Sequence, residues 1–126
     1  MYELTVKNSF SSAHSIPDYD GKCARLHGHT WQVEVAVRGK HLDRKGMLVD
    51  FRKIKSGLDK IVTDLDHQYL NDLKIFKEEG INPTAENLAK YIYISLKEMI
   101  NNYDVKLTMV RVWESPSASA SYWEVD

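Results

Sequence analysis

Cys23-Ala24-Arg25-Leu26-His27-Gly28-His29-Thr30-Trp31-Gln32-Val33-Glu34-Val35-Ala36-Val37-Arg38 carries both a folding pattern and a chemical one. In its second half, Trp31, Val33, Val35 and Val37 alternate with Gln32, Glu34 and Arg38. That period of two describes a strand with one buried face. In its first half, a thiol, two imidazoles and a glycine fall within seven residues. His27 and His29 stand two apart at the entrance to the strand, so in extended backbone both rings face the same side. Gly28 between them leaves room for a metal or substrate to approach the backbone.

Upstream, Tyr2, Leu4, Val6 and Phe10 share one parity, with Glu3, Thr5, Lys7 and Ser9 on the other. This is another half-buried strand, and His14 continues its apolar parity. Residues 16–21, with Pro17 and Gly21, form a loop. Downstream, Lys40 to Gly46 is a charged turn containing His41, which reads as surface. Asp50 can cap a helix whose apolar positions are Phe51, Ile54, Leu58, Ile61, Val62 and Leu65. Residues 66–72 break that pattern as a loop, and 77–80 form a charged loop. Asn82-Pro83-Thr84-Ala85-Glu86 has the composition of a helix start: a capping side chain, an early proline and an acid. Ala85, Leu88, Ala89, Ile92, Leu96 and Met99 supply the buried stripe of that helix, and Asn101-Asn102 ends it. Tyr91 and Tyr93 read as packing. Val105 to Trp113 and Ala118 to Val125 are two further strands around a turn at Ser115-Pro116-Ser117. The order is ββααββ, an α+β domain with an antiparallel sheet.

The 126 residues fit one domain, taken as 1–126, and 43% are apolar, enough for an ordinary core. A net charge of −1 gives no electrostatic reason to expect nucleic acid or a membrane surface. No run approaches the length of a membrane span. Met1 to Phe10 alternates and carries charge, unlike a signal peptide. One cysteine excludes an intrachain disulfide, and a cytoplasmic setting is expected.

His14, His27 and His29 lie at the ends of two strands that can pair. Three neutral imidazoles are the protein ligands of an open zinc site with a fourth position for water or substrate. Imidazole also suits copper, iron and nickel. Zinc is preferred because no local carboxylate completes an iron-type triad and no Cys or Met arrangement suggests copper. Cys23 is either a fourth ligand, which would close the site, a small buried side chain, or a thiolate favoured by Arg25 and a nearby cation. Asp66-His67 is either a helix C-cap with a solvated ring or a carboxylate tuning a proton-transferring imidazole. Glu114 is either an ordinary strand-end acid or a carboxylate that accepts two N–H bonds from a planar heterocycle. Glu86 is similarly ambiguous, because an acid in the first turn of a helix already has a structural role.

Cys23-x-x-x-His27-Gly28-His29, Leu65-Asp66-His67-Gln68-Tyr69-Leu70-Asn71-Asp72, Asn82-Pro83-Thr84-Ala85-Glu86-Asn87-Leu88-Ala89 and the late Glu114 together resemble the 6-pyruvoyl-tetrahydropterin synthase superfamily. The three-residue gap between Cys23 and His27 is similar to its 6-carboxy-5,6,7,8-tetrahydropterin synthase branch. The pyruvoyl-forming branch typically has a longer gap. The resemblance implies the tunnelling fold: a four-stranded antiparallel sheet with two helices on one face, closed into a barrel by three subunits and stacked as a hexamer. It implies zinc held by His14, His27 and His29. Cys23 would transfer protons with Asp66 and His67, and Glu114 would anchor a pterin near Thr84 and Glu86. These groups would meet between subunits. The implied substrate is 7,8-dihydroneopterin triphosphate. The implied products are 6-carboxy-tetrahydropterin, acetaldehyde and triphosphate, on the route to queuosine and other deazapurines. Lys22, Arg25 and Lys53 are candidates for the triphosphate by position only. The sister activity, forming a pyruvoyl pterin, or a pterin aldolase-like variant on the same scaffold, and a metal-stabilised binding module without chemistry are the rivals.

Overall fold

The computed structural model describes residues 1–17 and 19–125; Asp18, within the loop expected at 16–21, and Asp126 lie outside the described residues. Among the described residues four strands, β1 (Tyr2–His14), β2 (His27–Gly39), β3 (Lys106–Ser115) and β4 (Ala118–Tyr122), form one antiparallel sheet in the order β1-β2-β3-β4. The fold is α+β, as the alternation implies. β2 starts at His27 rather than at Trp31, so the His-Gly-His stretch belongs to the sheet. Its register against β1 sets His14 opposite His27 and Ser12 opposite His29.

The helices are α1 (Phe51–Leu65), a single turn α2 (Lys74–Lys77) and α3 (Ala85–Met99). The Asp50 carboxylate accepts from the Arg52 amide and starts α1. α3 is capped by Thr84, whose hydroxyl accepts from the Asn87 amide, while Pro83 lies outside the helix. The expected helix start at 82–86 contains two residue types that cap, Asn82 and Thr84, and the backbone path selects Thr84. α2 falls in a stretch expected to be loop, because one turn is too short to show periodicity. Phe51 and Met99, expected in the apolar stripes, are 48% and 42% exposed; they are the first residue of α1 and the last of α3. β4 ends at Tyr122, short of the expected Val125.

One face of the sheet carries the core. Trp31, Val33, Val35 and Val37 of β2 and Val110 and Val112 of β3 are buried against Ile54, Leu58 and Leu65 of α1 and Leu88, Ile92 and Leu96 of α3. A Cβ added at Gly57 would lie 3.0 Å from Leu96 Cδ1, so glycine there lets the two helices approach. The opposite face is polar: Arg111 reaches Glu34 at 3.7 Å and donates from Nε to Ser121 Oγ at 2.9 Å. β1 and β4 are the sheet's edges. Among the described residues no helix is long and apolar enough to cross a membrane.

Candidate metal centre

The strand register does the first part of the assembly. His14 closes β1, His27 opens β2 opposite it, and His29 follows on the same face. The His14 and His29 rings stand beside Trp31, which has no exposed surface, at centroid distances of 4.8 and 5.1 Å, and the His27 ring packs on those two at 4.5 and 4.7 Å. The Trp31 indole N–H donates to the Ser12 carbonyl at 3.3 Å, which keeps this platform in place.

Second partners then decide which nitrogen of each ring is free. His14 Nδ1 lies 2.8 Å from the Pro83 carbonyl oxygen, and His27 Nδ1 lies 2.6 Å from the Arg25 carbonyl oxygen. A carbonyl only accepts, so both Nδ1 atoms carry the proton and both Nε2 atoms present lone pairs. Those two Nε2 atoms are 2.9 Å apart. Two neutral imidazoles in this tautomer have no proton to share, so the contact is repulsive unless a cation lies between them. His29 Nε2 is buried without a hydrogen bond; Glu114 Oε1 is 2.9 Å away, a close approach off the line an N–H would need. Burial lowers the pKa of His14 and His29 below the usual 6.5, with the Pro83 carbonyl opposing at His14 and the Glu114 charge opposing at His29. Both rings are thereby held as neutral donors near neutral pH.

Glu114 Oε1 also lies 3.8 Å from His14 Nε2, and the four donor atoms all fall within 4.8 Å of one another. Donors at zinc–nitrogen bond length around a tetrahedral ion are separated by about 3.3 Å, which these spacings bracket. The donor set fits a metal ion. It differs from the open site expected from three histidines alone, because a carboxylate oxygen stands at the fourth corner. Cys23 is outside this group.

The other candidate residues lie apart within one chain. Cys23 is partly buried in a turn of 3-10 helix, Lys22–Ala24, where its carbonyl accepts from the Ile16 amide at 2.8 Å. Asp66 is the C-cap of α1, and its Oδ1 accepts from the Ser11 amide at 2.8 Å. Its Oδ2 is 2.8 Å from His67 Nδ1. These bonds hold the Asp66 pKa below its usual value, the Ser11 N–H contributing most and His67 next. His67 has φ of 55°, an uncommon backbone for a side-chain-bearing residue, and its ring is 83% exposed. Asp66 is thus the expected helix C-cap, and its carboxylate also lies against the His67 ring, which is exposed to solvent. Among the described residues no hydrogen bond or ion pair joins that pair to Cys23. Thr84 spends its oxygen on the cap of α3, and Glu86 is exposed in the first turn. Lys53 lies over the Tyr103 ring, 5.3 Å from its centroid, towards the Gly39 end of the sheet and away from the histidines.

Sequence reasoning did not single out Asn71 as an individual residue. Its Oδ1 accepts from the Ser15 amide and its Nδ2 donates to the Ser15 carbonyl, both at 2.9 Å. With the Ala13 amide donating to the Gln68 carbonyl, this stitches the Asp66–Asn71 segment along the end of β1 beside His14. No local pattern marks such a long-range clamp.

The family model described as 6-pyruvoyl tetrahydropterin synthase matches residues 3–125. A Haemophilus influenzae protein named 6-carboxy-5,6,7,8-tetrahydropterin synthase is 30% identical, over 98% of this chain and 100% of its own. A Pyrococcus furiosus dihydroneopterin monophosphate aldolase is 39% identical over 88% of each chain. The solved structure of Caenorhabditis elegans 6-pyruvoyl tetrahydropterin synthase superposes with a TM-score of 0.83 at 30% identity, covering 98% of this chain and 96% of that one.

Proposed function

This chain belongs to the 6-pyruvoyl tetrahydropterin synthase family, and from that membership we propose a zinc-dependent carbon–carbon lyase acting on 7,8-dihydroneopterin triphosphate. The products are 6-carboxy-5,6,7,8-tetrahydropterin, acetaldehyde and triphosphate. The observation that carries the reading is the convergence of unprotonated His14 and His27 Nε2 atoms on His29 and Glu114. The three-residue gap between Cys23 and His27 and the name of the Haemophilus influenzae relative favour the carboxy product.

His14, His27 and His29 would hold the zinc. Zinc so held supplies a Lewis acid that polarises hydroxyl oxygen and stabilises developing negative charge. Glu114 accepts from the ring N–H and exocyclic amine on one edge of the pterin, with Thr84 and Glu86 alongside. The His67 ring, oriented by Asp66 through Nδ1, moves protons at Nε2, and the Cys23 thiol moves them on the other side of the substrate. Because these groups lie apart within one chain, the complete site forms between copies. The open edges at β1 and β4 and the polar second face suit closure of the sheet into a barrel, as a trimer and then a hexamer. Residues 1–126 act as one such domain, in the cytoplasm, supplying a deazapurine route such as that to queuosine.

Incubation of the zinc-loaded protein with 7,8-dihydroneopterin triphosphate should release acetaldehyde in step with triphosphate. The likeness to the Caenorhabditis elegans structure favours a second reading, elimination of triphosphate to a pyruvoyl pterin. Triphosphate release without acetaldehyde would establish that reading in place of the first.

A further inference from the structure

We infer that Glu114 is an exchangeable fourth donor: it completes the metal site in the substrate-free protein and leaves it when a pterin edge takes its carboxylate. This inference rests on the pterin reading above. Its first ground is position. Glu114 Oε1 is 2.9 Å from His29 Nε2 and 3.8 Å from His14 Nε2, the distances of a neighbouring donor around a shared ion. Its second ground is charge. Three neutral imidazoles leave a dication uncompensated against the buried Trp31 and His14, and one carboxylate oxygen removes half of that charge. Its third ground is that the same carboxylate has a path outward: the Glu114 side chain is 31% exposed, whereas the His14 side chain is fully buried.

The two tasks exclude one another. Recognition of a pterin N–H and amine uses both carboxylate oxygens, aligned with the far edge of the bicycle. The substrate side chain leaves from the opposite ring, so hydroxyls that reach the histidines put the recognition edge a full bicycle away. Glu114 cannot serve both ends together. Ring binding therefore removes the fourth donor and frees the corner that the side-chain hydroxyls need. Metal and pterin become coupled through one residue, and the coupling is reciprocal: the factor by which a pterin changes the metal affinity is the factor by which the metal changes the pterin affinity.

Cobalt(II) in place of zinc, with neopterin as the ligand, tests this without turnover. Four-coordinate cobalt has intense visible bands, and higher coordination weakens them. Wild-type protein should show the intense spectrum alone and lose intensity on neopterin addition. Glu114→Gln should show visible bands shifted from those of wild type, because a water takes the carboxylate's corner, should not respond to neopterin, and should bind zinc at least about 10-fold more weakly, the least that losing even an outer partner costs. Glu114→Asp should fall between them, and far-UV circular dichroism should show both variants folded. An unchanged cobalt spectrum in folded Glu114→Gln would overturn the assignment of Glu114 as a donor. Neopterin that binds wild type, measured by its own fluorescence, without altering the spectrum would overturn the exchange alone. Neopterin that fails to bind wild type at all would overturn the pterin reading itself and the exchange with it.

Discussion

The Nδ1–H of His14 donates to the backbone carbonyl of Pro83 across 2.8 Å, joining the end of β1 to the residue before the cap of α3. This one bond sets the tautomer of a fully buried imidazole and aims its Nε2 lone pair at the partner donors. His14→Ala should reduce bound zinc to near zero per chain, a loss exceeding the roughly 10–100-fold that follows removal of an outer partner. Metal analysis after gel filtration measures it. Full zinc occupancy in folded His14→Ala would show that the ion sits elsewhere.

Cys23 stands apart from the four converging donors. Cys23→Ala should retain zinc with unchanged affinity and lose turnover by about 10²–10⁴-fold, the scale of a removed proton-transfer group. Zinc titration alongside acetaldehyde release separates the two effects. A variant that loses its zinc would make Cys23 a ligand.

Asp66 accepts from the Ser11 amide and from His67, which holds its pKa below the usual 3.8 in the folded chain. A carboxylate with a depressed folded value stabilises the fold above the unfolded value. That contribution disappears as pH falls through the lower folded value. Asp66→Asn should therefore be less stable than wild type near neutral pH, and the gap should narrow as pH falls below about 4. Urea midpoints measured between pH 3 and 7 report it. A gap constant across that range would mean that the ionised form of Asp66 has no stabilising role.

Trp31 has no exposed surface and packs against the His14 and His29 rings as well as belonging to the core. Trp31→Ala should destabilise the fold by about 3–5 kcal/mol. Trp31→Phe, which keeps most of the volume and loses the bond to the Ser12 carbonyl, should cost less and still weaken zinc binding. Denaturant unfolding of the metal-free protein isolates the packing effect, and equal costs for the two substitutions would argue against it.

β1 and β2 were legible because one face of each is buried, so Val6, Phe10 and His14, and Trp31, Val33, Val35 and Val37, share one parity, with Ala36 the buried exception in β2. That same period placed His27 and His29 on one side before any partner was known. The start of α3 was legible in composition but ambiguous in position, since Asn82 and Thr84 both cap helices. α2 left no signal because a single turn has no repeat to detect. The approach of Glu114 to His29 depends on how β2 and β3 pair after a long excursion through the helices, and no local spacing encodes that. The clamp of Asn71 on Ser15 is hidden for the same reason.

The zinc-edge X-ray absorption spectrum of the substrate-free protein tests the metal centre most directly. A single shell of nitrogen and oxygen donors at about 2.0–2.1 Å, with the outer scattering of three imidazoles and no sulfur, is the expected result. A sulfur shell at about 2.3 Å would place Cys23 on the metal and contradict the division of roles between His14, His27, His29, Glu114 and Cys23.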